Sequence, residues 1–301
     1  MAELYGVSIG LGVAWTATLG NHDDNSDLNR SECMDYIVSL GGDNLSQLNS
    51  LGPGFTDPTE SFGNYVLEVF ADASAAQPSF RTFHLDSTTN PSPVNPDQVA
   101  WFSATAAGFR AGGTATPALL FTHVPLVEYW EAVLSAASGR GGSVCGMMNE
   151  HVSCETENSG LFSAIAADGT VKAVFAGHDH TNDFCAGPLE GVQLCYEGSP
   201  GYQGYGCCFE AGPSKGACLA RRARVTEVSG FGAAVRSWKR VDAQPYPSEV
   251  LIDSQTLWSS SGSGGGGGSG GLGAVGECPS EAPLFRTRAE AAAALPALSQ
   301  K

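Results

Sequence analysis

Three short apolar runs share one design. Residues 13–19 lead into Gly20-Asn21-His22-Asp23, residues 118–121 into Thr122-His123-Val124-Pro125, and residues 171–176 into Gly177-His178-Asp179-His180. A continuous apolar run of this length reads as a strand buried on both faces. Further strands are predicted at 64–70, 80–85 and 192–196. Helical periodicity fills the intervals. Residues 97–109 place Val99, Phe102 and Phe109 near one face. Ser159 is placed to cap a helix through Ala167, with Gly169 just past its end, and 126–137 is a third helix. Strands alternating with helices predict an α/β fold, in one sheet or two.

Composition sets the boundaries of that fold. The chain has 301 residues, and the run 259–271, SSSGSGGGGGSGG, reads as a flexible linker. A folded domain is expected over 1–258, followed by the linker and an Ala-rich tail over 272–301 that Pro296 interrupts. A net charge of −16 argues against a nucleic-acid-binding surface, which needs a basic patch. No apolar run reaches the ~18 residues of a membrane span. The first residues, with an early acid and no basic segment, make a poor signal peptide. Nine cysteines include no CxxC pair, which excludes a zinc-finger arrangement.

The chemistry concentrates in the histidines. Four of six, His22, His123, His178 and His180, stand at the ends of the three apolar runs. Ligands of α/β sheets gather at the carboxyl ends of strands. His178 and His180, two apart, face the same side if the backbone is extended and splay toward two neighbouring metals if it forms a tight loop. Asn21 adds a neutral oxygen, and imidazole with amide oxygen suits Zn, Mn or Fe. The remaining histidines match no motif: His84 reads as a strand residue and His151 as a loop residue. Asp24 and Asp27 read as helix N-terminal charges. Arg221, Arg222 and Arg224 read as a solvated strand edge rather than a phosphate site.

Gly20-Asn21-His22-Asp23, Thr122-His123-Val124-Pro125 and Gly177-His178-Asp179-His180, in that order, resemble the last three signature motifs of the calcineurin-like metallophosphoesterases. Phe62-Gly63-Asn64-Tyr65, His84-Leu85-Asp86-Ser87, the segment from His123 to Tyr129 and the segment from His178 to Cys185 are similar to the purple acid phosphatase-related branch of plants, algae and fungi. The likeness continues through Leu194-Cys195-Tyr196 and Gly201-Tyr202 to Arg221-Arg222-Ala223-Arg224-Val225. The resemblance implies a four-layer α/β/β/α sandwich, here lacking its first strands. It implies a dinuclear centre, Fe with Zn, Mn or Fe, that hydrolyses phosphate monoesters. By resemblance Asn21, His123 and His178 bind one metal and His180 the other. His22 contacts the phosphoryl group or protonates the leaving oxygen, and Asp23 orients its ring. Cys154, Cys185 and Cys195 lie in family-like segments, with a Cys185–Cys195 disulfide across a hairpin as one pairing.

The pattern departs from the family in one place. An Asp-x-His and a Gly-Asp motif should precede Gly20, yet the 19 residues before it contain neither Asp nor His. These motifs carry the bridging carboxylate, without which two cations ~4 Å apart repel each other strongly. The expectation is an N-terminally truncated chain that turns over phosphate esters poorly. The alternatives are a non-catalytic remnant binding one metal or a phosphate, and an enzyme acting on diesters or nucleotides. The expected substrate is a small phosphate ester or a phosphoprotein, with no nucleic-acid partner. A cytoplasmic location is expected for the chain as it stands, and a secretory or vacuolar one if a leader precedes it.

Overall fold

The computed structural model describes residues 2–25, 27–48, 61–87, 94–113, 115–154, 157–201, 204–205, 220–242 and 252–262. In chain order its elements are α1 (Ala2–Leu11), α2 (Arg30–Ser39), β1 (Tyr65–Val69), β2 (Phe80–His84), α3 (Pro96–Ala111), β3 (Ala118–Phe121), α4 (Glu128–Ala137), β4 (Ser143–Cys145), α5 (Leu161–Asp168), β5 (Val171–Ala176), β6 (Cys185–Leu189), β7 (Val192–Tyr196), β8 (Arg221–Ser229), β9 (Ala234–Asp242) and β10 (Ile252–Ser259). The fold class is α/β, as the alternation predicts. The chain forms two compact units, one of residues 1–127 and 153–178, the other of 128–152 and 179–301. No helix among the described residues is long and apolar enough to cross a membrane.

In the first unit the strands lie in the order β1, β2, β3, β5. β1 runs antiparallel to β2, and β2, β3 and β5 are parallel. The register aligns Tyr65, His84, Phe121 and Phe175 across the four strands. Their rings stack in sequence, with centroids 4.6, 5.2 and 5.2 Å apart and planes within 16° of parallel. Cross-strand aromatic pairs stabilise a sheet through packing beyond area burial. His84 is thus a core residue. Its Nδ1 lies 3.2 Å from Thr18 Oγ1 and its Nε2 3.1 Å from Thr82 Oγ1, so both nitrogens are partnered by hydroxyls. Burial pulls its pKa down to about 3, and the ring is neutral.

Two helices of this unit start with capping boxes, Asn29 with Glu32 before α2 and Asn95 with Gln98 before α3. Pro96 opens α3, where its missing N–H costs nothing. The cap of α5 is Gly160 rather than Ser159, whose hydroxyl accepts from Leu161 N at 3.3 Å. Gly169 ends α5 in the left-handed region, as expected. The run 13–19 is a second correction. It is an extended segment with one bridge, Trp15 to Asn44, and it alternates, burying Trp15, Ala17 and Leu19. It packs with one face inward against α2 and Tyr65, so a doubly buried strand is the wrong reading of its apolar residues. Asp24 and Asp27 precede the cap, and the first-turn acid of α2 is Glu32.

In the second unit β4, β6 and β7 form an antiparallel group with β6 central. β8, β9 and β10 form a separate antiparallel meander. Cys185 and Cys195 stand opposite each other on β6 and β7 and form a disulfide. Cys33 is buried and forms no disulfide. The arginines of β8 are not a solvated edge. Arg221 and Arg222 are both buried, and Arg222 Nε donates to Asp183 Oδ2. Lys239 Nζ reaches Asp183 Oδ1 at 2.7 Å and also pairs with Asp253. Arg224 Nη2 donates to Asp183 O at 2.6 Å. These charges are interior because an opposite charge is interior with them. The chain is still in this sheet where the Gly/Ser run begins: Ser259 ends β10, and Ser260–Gly262 form a 3-10 turn. The rest of that run, the Ala-rich tail, and Cys207, Cys208, Cys218 and Cys278 lie outside the described residues.

Candidate functional site

In the first unit the turn after residue 19 meets the ends of β3 and β5. Asn21 Oδ1 accepts from His123 Nε2 at 2.9 Å and from His178 Nδ1 at 3.3 Å. The two imidazoles lie edge to face, with centroids 5.3 Å apart. His123 is flanked by glycine on two sides. A Cβ at Gly20 would sit 3.1 Å from His123 Cε1, and one at Gly177 would sit 3.0 Å from His123 Nδ1. The glycines of both motifs therefore let backbone approach the ring where a side chain would displace it.

The turn is held at both polar groups of Gly20. Its N–H donates to Asp23 Oδ2 at 2.6 Å, and its carbonyl accepts from Arg30 Nη1 at 2.9 Å. Arg30 is buried and forks onto Asp86, with Nε at 2.8 Å from Oδ2 and Nη2 on Oδ1. Burial acts to lower the Arg30 pKa, but its hydrogen bond and charge pairing with Asp86 prevail and raise it. Asp86 also accepts from Phe62 N at 2.7 Å, while its own N–H donates to Asn64 Oδ1 at 3.0 Å. Gln98 Nε2 donates to Asn64 Oδ1 and to Asp86 O, at 2.6 Å each. The turn thus hangs from the end of β2 through a buried, bidentate ion pair.

His22 sits on this turn, and the partner of its Nδ1 is Asn25 Nδ2 at 2.7 Å. Asp23, expected to orient that ring, has its Oδ2 on Gly20 N. His178 has φ 67, so the backbone at Gly177-His178 is not extended, and the same-side geometry of positions two apart does not apply.

His180 belongs to the second unit. Its ring stacks on Tyr205, centroids 4.1 Å apart and planes 10° from parallel. Asp179 is buried and turned inward, bonded to Tyr196 OH and, at 3.4 Å, to Asn182 Nδ2. Burial and then the Asp179 charge push the Tyr196 pKa well above its ordinary value. The loop is tied down throughout. Asn182 Oδ1 accepts from Asn149 N at 3.0 Å and Glu150 N at 3.2 Å, and Asp183 Oδ1 accepts from Met147 N at 2.7 Å.

Among the described residues no group of three or more His, Cys, Asp and Glu side chains is placed to share a metal ion. The Asn21, His123 and His178 cluster has two imidazoles and an amide oxygen. Donors bonded at ~2.0–2.1 Å to one ion with near-tetrahedral angles lie roughly 3.3 Å apart. The two nitrogens lie 2.9 and 3.3 Å from Asn21 Oδ1, hydrogen-bond distances that are also within the range for two ligands of one ion.

The chain is 34% identical to "Probable inactive purple acid phosphatase 28" of Arabidopsis thaliana, over 87% of this chain and 68% of that protein. It is also 34% identical to "Probable inactive purple acid phosphatase 29" of the same plant, over 83% of this chain and 66% of that protein. It is 26% identical to "Phosphatase DCR2" of Saccharomyces cerevisiae, over 77% of this chain and 40% of that protein. The chain belongs to the purple acid phosphatase-related branch of the metallophosphoesterases. It spans about two thirds of the length of these plant relatives. No family model matches it. Within this purple acid phosphatase relative, Arg30, Asn25, Glu150 and Tyr205 hold the candidate residues and were not singled out from sequence, while Asp86 was marked there only as part of a family-like segment. The signal for Arg30 was there: it is a lone base following Asp23, Asp24 and Asp27 in a chain of few charges.

Proposed function

We propose that this chain is a metal-dependent phosphomonoester-binding domain of the phosphatase type. It holds one divalent cation through Asn21, His123 and His178 and hydrolyses esters slowly. The observation that carries the reading is the convergence of these three neutral donors about Asn21 Oδ1. Neutral ligands leave a bound cation its full charge, which favours a phosphate dianion as the next ligand. When bound, such a cation supplies Lewis acidity toward a phosphoryl oxygen. The remaining work belongs to the protein. His22, with Nδ1 occupied by Asn25, is left Nε2 to donate to a phosphoryl or leaving-group oxygen. His180 is the residue the family resemblance gives to a second cation. Slow turnover is supported by the word "inactive" in the names of plant relatives.

The test loads the chain with Zn, Mn or Fe and assays an aryl phosphate across pH, alongside measured metal content. The reading predicts one tightly held cation per chain, competitive binding of phosphate, and feeble turnover, with His178→Ala removing cation and phosphate together. Vigorous His178-dependent turnover would show that other groups complete a full dinuclear centre. Cation binding that survives His178→Ala would remove the site altogether.

A further inference from the structure

The extended segment 13–19, which leads into the Asn21 turn, is paired along one edge only. Trp15 uses both of its backbone groups: its N–H donates to Asp43 O at 3.0 Å, and its carbonyl accepts from Leu45 N at 2.8 Å. Ala17 N donates to Ser46 Oγ at 3.0 Å, and Ala17 O accepts from Tyr65 OH at 2.6 Å. In an extended chain the backbone groups of alternate residues point to opposite edges. Those of Ala14, Thr16 and Thr18 point away from this pairing, and among the described residues none of them makes a backbone hydrogen bond. Thr16 and Thr18 bond only through their hydroxyls, to Tyr65 OH and His84 Nδ1. Ala14 is exposed, and Thr16 and Thr18 are half-buried.

A free edge is a template for another strand, and folded proteins guard such edges with charge, proline or brevity. The other outer strands among the described residues are guarded: β1 carries Glu68, β8 three arginines and β10 Asp253, and β4 is three residues long. Residues 13–19, VAWTATL, hold no charge and no proline, and their β-branched and aromatic residues favour pairing. Apolar surface continues beside them. Val13 is 53% exposed, and Val7 and Leu11, one turn apart on α1, are 69% and 73% exposed. No Asp, Glu, Lys or Arg occurs between Glu3 and Asp23. Two copies of a chain with net charge −16 repel each other as wholes, but here they meet without like charges in contact. The edge is also its own complement. Laid antiparallel about a two-fold axis at Thr16, two such edges set Thr16 opposite Thr16 and Ala14 opposite Thr18, and each opposed pair exchanges both N–H···O bonds.

We propose that a second copy of this chain covers the free edge, forming a two-fold symmetric dimer by antiparallel pairing of residues 14–18. The dimer stands apart from the reading of the cation site, since none of its pairing residues is a proposed ligand.

The test is sedimentation of the full chain over a range of concentrations, with amide hydrogen exchange resolved by NMR. A dimer is expected at high micromolar concentration, dissociating on dilution. The amides of Ala14, Thr16 and Thr18 should exchange slowly in the dimer and quickly after dilution. Those of Trp15 and Ala17, bonded within one chain, should be slow in both states. Ala14→Glu puts a charge at an exposed position of the edge and is expected to raise the dimer dissociation constant about tenfold or more. Thr16→Pro removes the central N–H and should leave only monomer. Thermal melts at low concentration, where the parent chain is monomeric, show whether each variant folds, and Ala14→Glu decides the matter if Thr16→Pro does not fold. A chain that stays monomeric at high micromolar concentration overturns the inference, as does a dimer that Ala14→Glu leaves intact. Slow exchange at Ala14, Thr16 and Thr18 in a monomer would mean that a segment of the same chain covers the edge, which overturns it equally.

Discussion

The two units hold their candidate histidines by different means. In the first, His123 and His178 meet Asn21 through neutral hydrogen bonds, and glycine backbone packs against His123. One buried ion pair, Arg30 with Asp86, secures the turn. In the second, the loop carrying His180 is fixed by interior charges, Asp183 with Arg222 and Lys239. Neutral imidazoles and amides cost less to bury than charges, and the two ring nitrogens that donate to Asn21 would exchange those protons for a cation on binding it. Buried charges cost more to place but are expensive to remove singly. The first unit gathers neutral polar groups around Asn21, and the second holds its loop with interior charge.

The largest expected effect breaks the charge-held side. Asp183→Ala leaves Arg222 and Lys239 interior without their main anion, and removes the acceptor of Met147 N. A loss of about 5 kcal/mol is expected, the upper end for breaking a buried pair, read by urea unfolding. A loss under about 1 kcal/mol would mean that water reaches this cluster. Next comes the buried Arg30–Asp86 pair of the first unit. Arg30→Met strands Asp86 and frees the Gly20 carbonyl. It should cost about 3 kcal/mol. Zinc affinity should also fall, whereas Asp183→Ala in any folded fraction should spare zinc binding at Asn21, His123 and His178.

The core of the first unit offers a pH handle. His84 takes up its proton near pH 3 in the fold but near 6.5 when unfolded. The unfolded chain therefore binds the extra proton between those values, and stability falls as pH drops from 6.5 toward 3. This group contributes at most about 1.4 kcal/mol per pH unit. His84→Phe keeps the ring stack and should flatten that part of the stability profile relative to the parent chain. Identical acid limbs for the two proteins would show that His84 is hydrated. The smallest effect sharpens the binding side: Gly20→Ala should cost under about 1 kcal/mol in stability. By pressing on His123, it should nonetheless weaken zinc binding measurably in a calorimetric titration.

Much of this was legible in the sequence, and the misses have physical reasons. The doubly buried strands β3 and β5 were plain because parallel sheets bury both faces. Residues 13–19 have the same apolar content but pack one face only, which composition cannot distinguish. His84 was rightly kept out of the site, and the aromatic ladder it joins emerges only from register. The motif residues Asn21, His123 and His178 could be named from their order along the chain. What holds them could not: Arg30 finds Asp86 across 56 positions, and Tyr205 finds His180 across 25, pairings that only the folded chain creates. The arginines of β8 misled for the same reason. Asp183, the acid that pairs with Arg222, lies 39 residues away, and a run of bases without a visible acid looks solvated.

The central claim is that Asn21, His123 and His178 share one cation. X-ray absorption at the zinc edge, on the full chain loaded with one equivalent of zinc, tests it most directly. The account predicts nitrogen and oxygen ligands at about 2.0–2.1 Å with the multiple-scattering signature of two imidazoles. His123→Ala and His178→Ala should each remove one imidazole. A sulfur shell near 2.3 Å, or an imidazole count unaltered by both substitutions, would contradict it.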